Sequence, residues 1–296
     1  MRPTPYEAGA VRAFLVDLAD TDGHPPLSEH KLSTLGGVGN RAGVWSDDAG
    51  LCLVAVSAHH RGAGHWATEA ALAPRRRTPD GEAQAIERAV GLVPSGQRHS
   101  VWAFRPGQID AVLRLGYDRI RAVLRMTGPM PHDAVVMSPG ITIEPMVESE
   151  VGIYVAINNR AFADHREQGS MTEREFRSLM ALDWFDPEGV HIARSGTRVV
   201  GFCVTKHEHQ AVGEVYLLAV DPDLAGKGIG RSLLQAGFGR LADRGAALAQ
   251  AWVDASNVAA VGLYEAVGLT GDFRNEEFVV PSGSVRGVPL SEGLSA

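Results

Sequence analysis

The chain has 296 residues, 45% of them apolar and 21% charged, with a formal net charge of −7. That apolar fraction supports a real core and excludes general disorder, and the length suits one large domain or two of ordinary size. The acidic balance argues against a nucleic-acid binder, and no apolar run is long enough to span a bilayer, so no membrane is expected as a partner. No basic segment followed by an apolar run opens the chain. Cys52 and Cys203 show no metal or redox spacing, which points to buried thiols in a reducing cytoplasm.

In chain order, the first half reads as a helix (EAGAVRAFLVDLADT), strands (GLCLVAVSAHH), and a tryptophan-bearing strand, helix and last strand over 101–126. The stretch MTGPMPHDAVVMSPG, with three prolines and two glycines, reads as a linker between near-equal halves. The second half repeats the order: a helix (EVGIYVAINNRAFAD), strands (GVHIARSGTRVVGFCVTKHE), then a tryptophan-bearing strand, a helix and a strand over 251–280. A helix ends at Gly116 in one half and at Gly268 in the other. A period of roughly 150 residues lies far outside the solenoid range and implies duplication of one α/β domain. The expected division is 1–130, a linker at 131–140, a second domain at 141–282 and a mobile tail at 283–296.

The stretch LLAVDPDLAGKGIGRSLL places a glycine-rich turn between an apolar strand and a helix. Such a turn suits an anion, because helix N-terminal N–H groups point outward and glycines let phosphate approach. It is no Walker A loop: Gly226 and Lys227 are followed by Gly228, and Asp221 stands where the first glycine would be. A dinucleotide fingerprint is a poor match too, since GKGIG lacks the G-x-G-x-x-G spacing. An ordinary β-turn with spare glycines remains the bland alternative.

Two further features accompany the turn. The helix after it carries an apolar stripe through Leu233, Leu234, Phe238 and Leu241, and Asn257, Ala260, Tyr264 and Gly268 then follow at N-x-x-A-x-x-x-Y-x-x-x-G spacing. Loop and segment together resemble the GCN5-related N-acetyltransferase (GNAT) superfamily. The segments AINNRAFADHREQGSMT, WFDPEGV and TKHEHQAVGEVYLLAVDP narrow the resemblance to the tandem mycothiol synthase family. It implies an α/β fold of two GNAT-like domains around mixed sheets. It also implies acetyl-CoA as co-substrate, no metal, and a monomer acting on a small-molecule amine. That amine is the cysteinyl group of a cysteine–glucosamine–inositol precursor.

The resemblance implies Glu214 as general base and Tyr264 as general acid. A glutamate inside an apolar strand gains basicity from burial, and a tyrosine near pKa ~10 can protonate a departing thiolate. It places the cofactor at Leu218, Ala219 and Val220 on the strand, at Ala225, Gly226, Lys227, Gly228, Ile229, Gly230 and Arg231 in the loop, and at Asn257 and Ala260. Substrate contacts carry over as Glu29, Glu167, Lys206 and Trp252. Two positions depart from the family: Ala225 stands for the usual Gln or Arg, and Trp252 for a tyrosine. His207 and His209 read as solvent-facing loop residues.

The first half lacks these features. Around LAPRRRTPDGEAQAI no G-x-G occurs, Pro79 removes an amide donor, and Asp80 and Glu82 add negative charge where pyrophosphate would sit. Aligning Gly116 with Gly268 puts Val112 opposite Tyr264. Arg75, Arg76 and Arg77 read as a solvated basic turn. HHRGAGHW holds three histidines and no visible fourth zinc ligand. A scaffold role is expected for this half. Two other functions compete with the leading one: acetylation of another small amine or a protein N-terminus, and a catalytically dead acyl-CoA-binding module.

Overall fold

The computed structural model describes residues 8–28, 31, 41–46, 52–59, 65–163, 169–209 and 211–280. The expected tail at 283–296 lies outside them, as do Glu29 and Glu167. Two compact units result: residues 1–122 with 275–296, and residues 123–274. Both divisions fall inside strands, not at the proline-bearing segment 131–140.

Unit one runs through α1 (Ala8–Asp22), β1 (Arg41–Ser46), β2 (Cys52–His59), β3 (His65–Leu72), a 3-10 turn at Pro74–Arg76, α2 (Pro79–Val90), β4 (Arg98–Ala103) and α3 (Pro106–Arg114). It ends in the first half of β5 (Asp118–Pro129) and takes the second half of β11 (Thr270–Val279). The strand order is β1-β2-β3-β4-β11-β5. Antiparallel pairing joins β1 to β2, β2 to β3 and β11 to β4, while β3 and β4 are parallel. α2 starts where Thr78 accepts a hydrogen bond from the Gly81 N–H and Pro79 occupies the first turn. Val11, Leu15 and Leu18 of α1 pack on Val56 and Ala71 of the sheet.

Unit two contains β6 (Ile141–Pro145), α4 (Val151–Ala161), α5 (Glu173–Met180), β7 (Phe185–Ser195), β8 (Arg198–His209), β9 (Val212–Val220), a 3-10 turn at Pro222–Leu224, α6 (Ile229–Asp243), β10 (Leu248–Asp254) and α7 (Val258–Glu265). With the remaining halves of β5 and β11, its order is β11-β5-β10-β9-β8-β7-β6. Only β9 and β10 pair in parallel among the described registers of this unit. The sheet is covered on both faces. The stripe Leu233, Leu234, Phe238 and Leu241 of α6 packs on Val215, Ala249 and Ala251, while Tyr154 of α4 and Phe176 of α5 pack on Ile192, Phe202 and Leu217. Burying each of the Val, Leu, Ile and Phe side chains among them contributes about 1.5–3 kcal/mol relative to leaving it in water.

The order of strands, turn, helix, strand, helix and strand recurs from β1 to β5 and from β7 to β11, as expected from duplication. The tryptophan-bearing strands are β4, with Trp102, and β10, with Trp252. His207 and His209 lie on β8, so the loop read there is strand instead. The β8–β9 pairing is irregular between Lys206 and His209, and His209 pairs with Val212.

Candidate active site

Strands β9 and β10 pair over only four residues, from Val212 with Leu248 to Val215 with Ala251. Beyond that point they diverge. Parallel neighbours that separate leave one edge of backbone groups without a ladder. Asp221 N–H donates to Val200 O on the β8 side. Antiparallel alternation then aims the N–H groups of Leu218 and Val220 at the gap beside β10. The divergence coincides with a bulge: Thr205 pairs with Val215 and Val204 with Leu217, so Tyr216 has no opposite residue on β8. A bulge bends a strand and re-aims its side chains. Val215 packs on the α6 side, whereas Tyr216, Leu217 and Ala219 pack on the α4 side.

The glycine turn follows at the open end of β9. Asp221 accepts from Asp223 N–H at 3.1 Å and from Arg160 and Arg198 at 3.0 and 2.5 Å. Burial alone would raise its pKa, but the Asp223 N–H and the two guanidiniums outweigh it and hold the carboxyl below its ordinary value. Ala225, Gly226, Lys227 and Arg231 are exposed, while Ile229 is buried and anchors the first turn of α6. Gly228 caps that helix at φ 82°, a left-handed conformation that favours glycine. No side chain caps the helix, so its first N–H groups stay directed outward. Gly230 sits within 3.4 Å of Leu263 and 3.7 Å of Val220 at the position a Cβ would take, so it brings α6 close to α7.

Glu214 and Tyr264 approach this gap from opposite faces of the sheet. Gly213 and Val215 point toward α6, so Glu214 points away from it. Gln250, its parallel partner on β10, donates to Glu214 Oε2 at 2.9 Å. Lys206 is the cross-strand partner of Glu214 and is buried, with its ammonium 5.1 Å from the Trp184 ring. Trp184 in turn packs 4.8 Å from Tyr216. Trp252, on the same face as Gln250, meets Phe273 edge-on at 6.1 Å. Tyr264 is buried in the α6 cluster. Burial first, then the nearby Cys203 and Glu214, push its phenol pKa well above the ordinary value. Cys203 is itself sealed in the core, and burial lifts its thiol to about 12, so it is inert.

Asn257 and Ala260 pair with each other: the Asn257 side chain caps α7 by accepting the Ala260 N–H at 3.1 Å. This fixes the helix that carries Tyr264. Sequence reading missed Gln250, Trp184 and Tyr216. Strand alternation alone could place Gln250 beside Trp252 on one face, but its alignment with Glu214 is a matter of parallel register. No group of three or more His, Cys, Asp or Glu suited to a metal occurs among the described residues.

The equivalent positions in unit one are differently filled. β3 and β4 also pair over four residues, and Ala67 with Ser100 stands where Glu214 faces Gln250. β2 and β3 pair without interruption, so there is no bulge. Gln108 occupies the divergence, donating to Ala70 O at 2.7 Å and accepting Phe104 N–H at 2.9 Å. Tyr117 N–H donates to Val112 O as Leu269 N–H does to Tyr264 O, which confirms Val112 as the counterpart of the tyrosine. Arg77 does not lie in a solvated turn but grips Asp22 with both nitrogens, at 2.6 and 2.8 Å.

Comparison with known proteins bears on the family and the fold. The acetyltransferase (GNAT) family model matches residues 156–269. A mycothiol acetyltransferase of Thermomonospora curvata is 36% identical over 259 residues, covering 84% of this chain and 85% of that protein. A GCN5-related N-acetyltransferase of Sphaerobacter thermophilus superposes with a TM-score of 0.70 at 23% identity over 93% of both chains. A tandem GNAT protein from the clavulanic acid biosynthesis pathway superposes with a TM-score of 0.65 at 14% identity, covering 93% of this chain and 96% of that one. These two likenesses show that the chain shares their fold over nearly its whole length. With its GNAT domain in the second half and a relative matched over most of its length, the chain belongs to the mycothiol acetyltransferase family.

Proposed function

We propose that unit two transfers acetyl from acetyl-CoA to the cysteinyl amine of a cysteine–glucosamine–inositol acceptor, giving mycothiol and CoA. The observation that carries this reading is the gap between β9 and β10, flanked by Glu214 on one face and Tyr264 on the other, with an uncapped helix N-terminus at its end. Acetyl-CoA supplies an activated thioester, and the residues fit it. The β9 edge offers N–H groups to an extended amide-bearing arm, and the glycine turn offers them to pyrophosphate.

In this reading Glu214 takes the proton of the attacking amine, directly or through water, with Gln250 donating to Oε2 and orienting the carboxylate. The N–H groups of Leu218 and Val220 meet the charge that builds on the carbonyl oxygen. Tyr264, with its raised pKa, keeps its proton across physiological pH and delivers it to the departing sulfur. Lys206, Trp184 and Trp252 form the walls for the acceptor. Every catalytic group comes from one chain, so a monomer suffices, and the sealed Cys203 thiol suits the cytoplasm.

The test is incubation with acetyl-CoA and the acceptor, followed by mass spectrometry. The expected result is an amide-linked acetyl product formed much faster than with free cysteine or common amines. No acceleration over those amines would mean another acceptor.

A further inference from the structure

The segment 131–140 has the composition of a linker, yet its middle is fastened to α6 by a chain of hydrogen bonds. Val136 N–H donates to Gln235 Oε1 at 2.9 Å, and Ser232 Oγ donates to Val136 O at 2.7 Å. Ser138 N–H donates to Ser232 Oγ at 3.2 Å, and Ser138 Oγ donates to Lys227 O at 2.6 Å. Ser232 and Gln235 are buried, and Ser138 is nearly so. By contrast Val135, Val136 and Met137 leave their apolar side chains 40–65% exposed. Burial of apolar surface therefore does not hold this segment in place; its polar atoms do.

The last of these bonds reaches the glycine turn itself. A trans peptide sets its C=O and N–H in opposite directions. When Ser138 Oγ fixes the Lys227 carbonyl, it aims the Gly228 N–H the other way, among the donors at the start of α6. The fit is close: a Cβ on Gly228 would lie 2.9 Å from Ser138 Oγ. A glycine turn with two left-handed residues, Gly226 and Gly228, is otherwise free to sample many orientations.

We propose that segment 136–138 is a strap that pre-organises the cofactor turn, with Ser138 and Ser232 as positioning residues for acetyl-CoA pyrophosphate. The proposal rests on the reading of the turn as the acetyl-CoA site. A strap of this kind saves the turn from being ordered at the moment of binding, so its loss weakens acetyl-CoA affinity and leaves the chemical step alone.

The test uses the full-length chain, its Ser138→Ala variant and its Ser138→Thr variant, which keeps the hydroxyl. Calorimetry with acetyl-CoA is expected to show about five- to tenfold weaker binding for Ser138→Ala and recovery for Ser138→Thr. At saturating acetyl-CoA, kcat and the acceptor KM are expected to match the unaltered chain. Equal acetyl-CoA affinity in all three, or a parallel loss in kcat and acceptor KM, overturns the strap while leaving the site reading intact. No binding by the unaltered chain overturns both. Should Ser138→Ala not fold, hydrogen exchange on the unaltered chain decides. Acetyl-CoA is expected to slow exchange at 136–138 together with 226–231, and protection of the turn without the strap overturns the proposal.

Discussion

The passage from β3 to α2 and the passage from β9 to α6 begin alike and end differently. Each leaves a strand that has just parted from a parallel neighbour, and each makes a 3-10 turn opened by a proline, Pro74 or Pro222. Unit one then enters its helix at once, capped by the Thr78 side chain and followed by Pro79. Unit two spends more residues on the turn, with Gly226 and Gly228 left-handed and no side-chain cap. In unit one Glu82 is buried and turned inward onto Arg105 at 2.8 Å. It contributes to the fold there; the sequence-based picture of charge facing a pyrophosphate is incomplete. The same scaffold thus caps its helix with a side chain in one unit and leaves the helix start without a side-chain cap in the other.

If that contrast is right, the largest effect belongs to Glu214. Glu214→Gln is expected to lower kcat by about 10²–10³-fold and to flatten the acid limb of the pH–rate profile. An unchanged profile would remove the base assignment. Tyr264→Phe is expected to lower kcat by roughly 10–100-fold, whereas Val112→Ala, its counterpart, should cost about 1–3 kcal/mol of stability in denaturant titration and leave kcat unchanged. Because burial holds the Tyr264 pKa above its ordinary value, no fall in kcat from its ionisation is expected below pH ~10.

Calorimetry should then find one acetyl-CoA per chain, and a second site would break the contrast outright. Gln108→Leu sharpens it. The substitution leaves Ala70 O and Phe104 N–H without their partner, so a loss of about 1–3 kcal/mol is expected, with the stoichiometry still one. The smallest effect concerns the start of the turn. Asp221 has a depressed folded-state pKa, so the stability it adds is fully present above the ordinary aspartate value and is lost as pH falls through the lower, folded value. Asp221→Asn should therefore lower Tm modestly at neutral pH, with the gap closing in acid, since Arg160 and Arg198 are half-exposed and screened.

Much of this was legible before any coordinates. The apolar stripe of α6, the glycines of the turn and the spacing from Asn257 to Gly268 are local patterns, and local patterns follow from helical and strand periods. The repeat, the tryptophan-bearing strands and the Val112 equivalence came from the same source. What required the folded chain was register and division. Gln250 faces Glu214 only because β9 and β10 pair in parallel, and Tyr216 stands out only because β8 and β9 slip by one residue. A one-residue slip changes which side chains share a face, and no local preference encodes it.

Residue types and their short-range spacing determined the kind of protein: the glycine turn, the Asn257-to-Gly268 spacing, and a first half without either. Tertiary structure decided which atoms meet. It gave Gln108 the gap in unit one and fastened Ser138 to Lys227. These contacts join residues far apart in the chain or in conformations that composition does not fix. Their geometry depends on where strands diverge and helices dock, which only the packed whole determines.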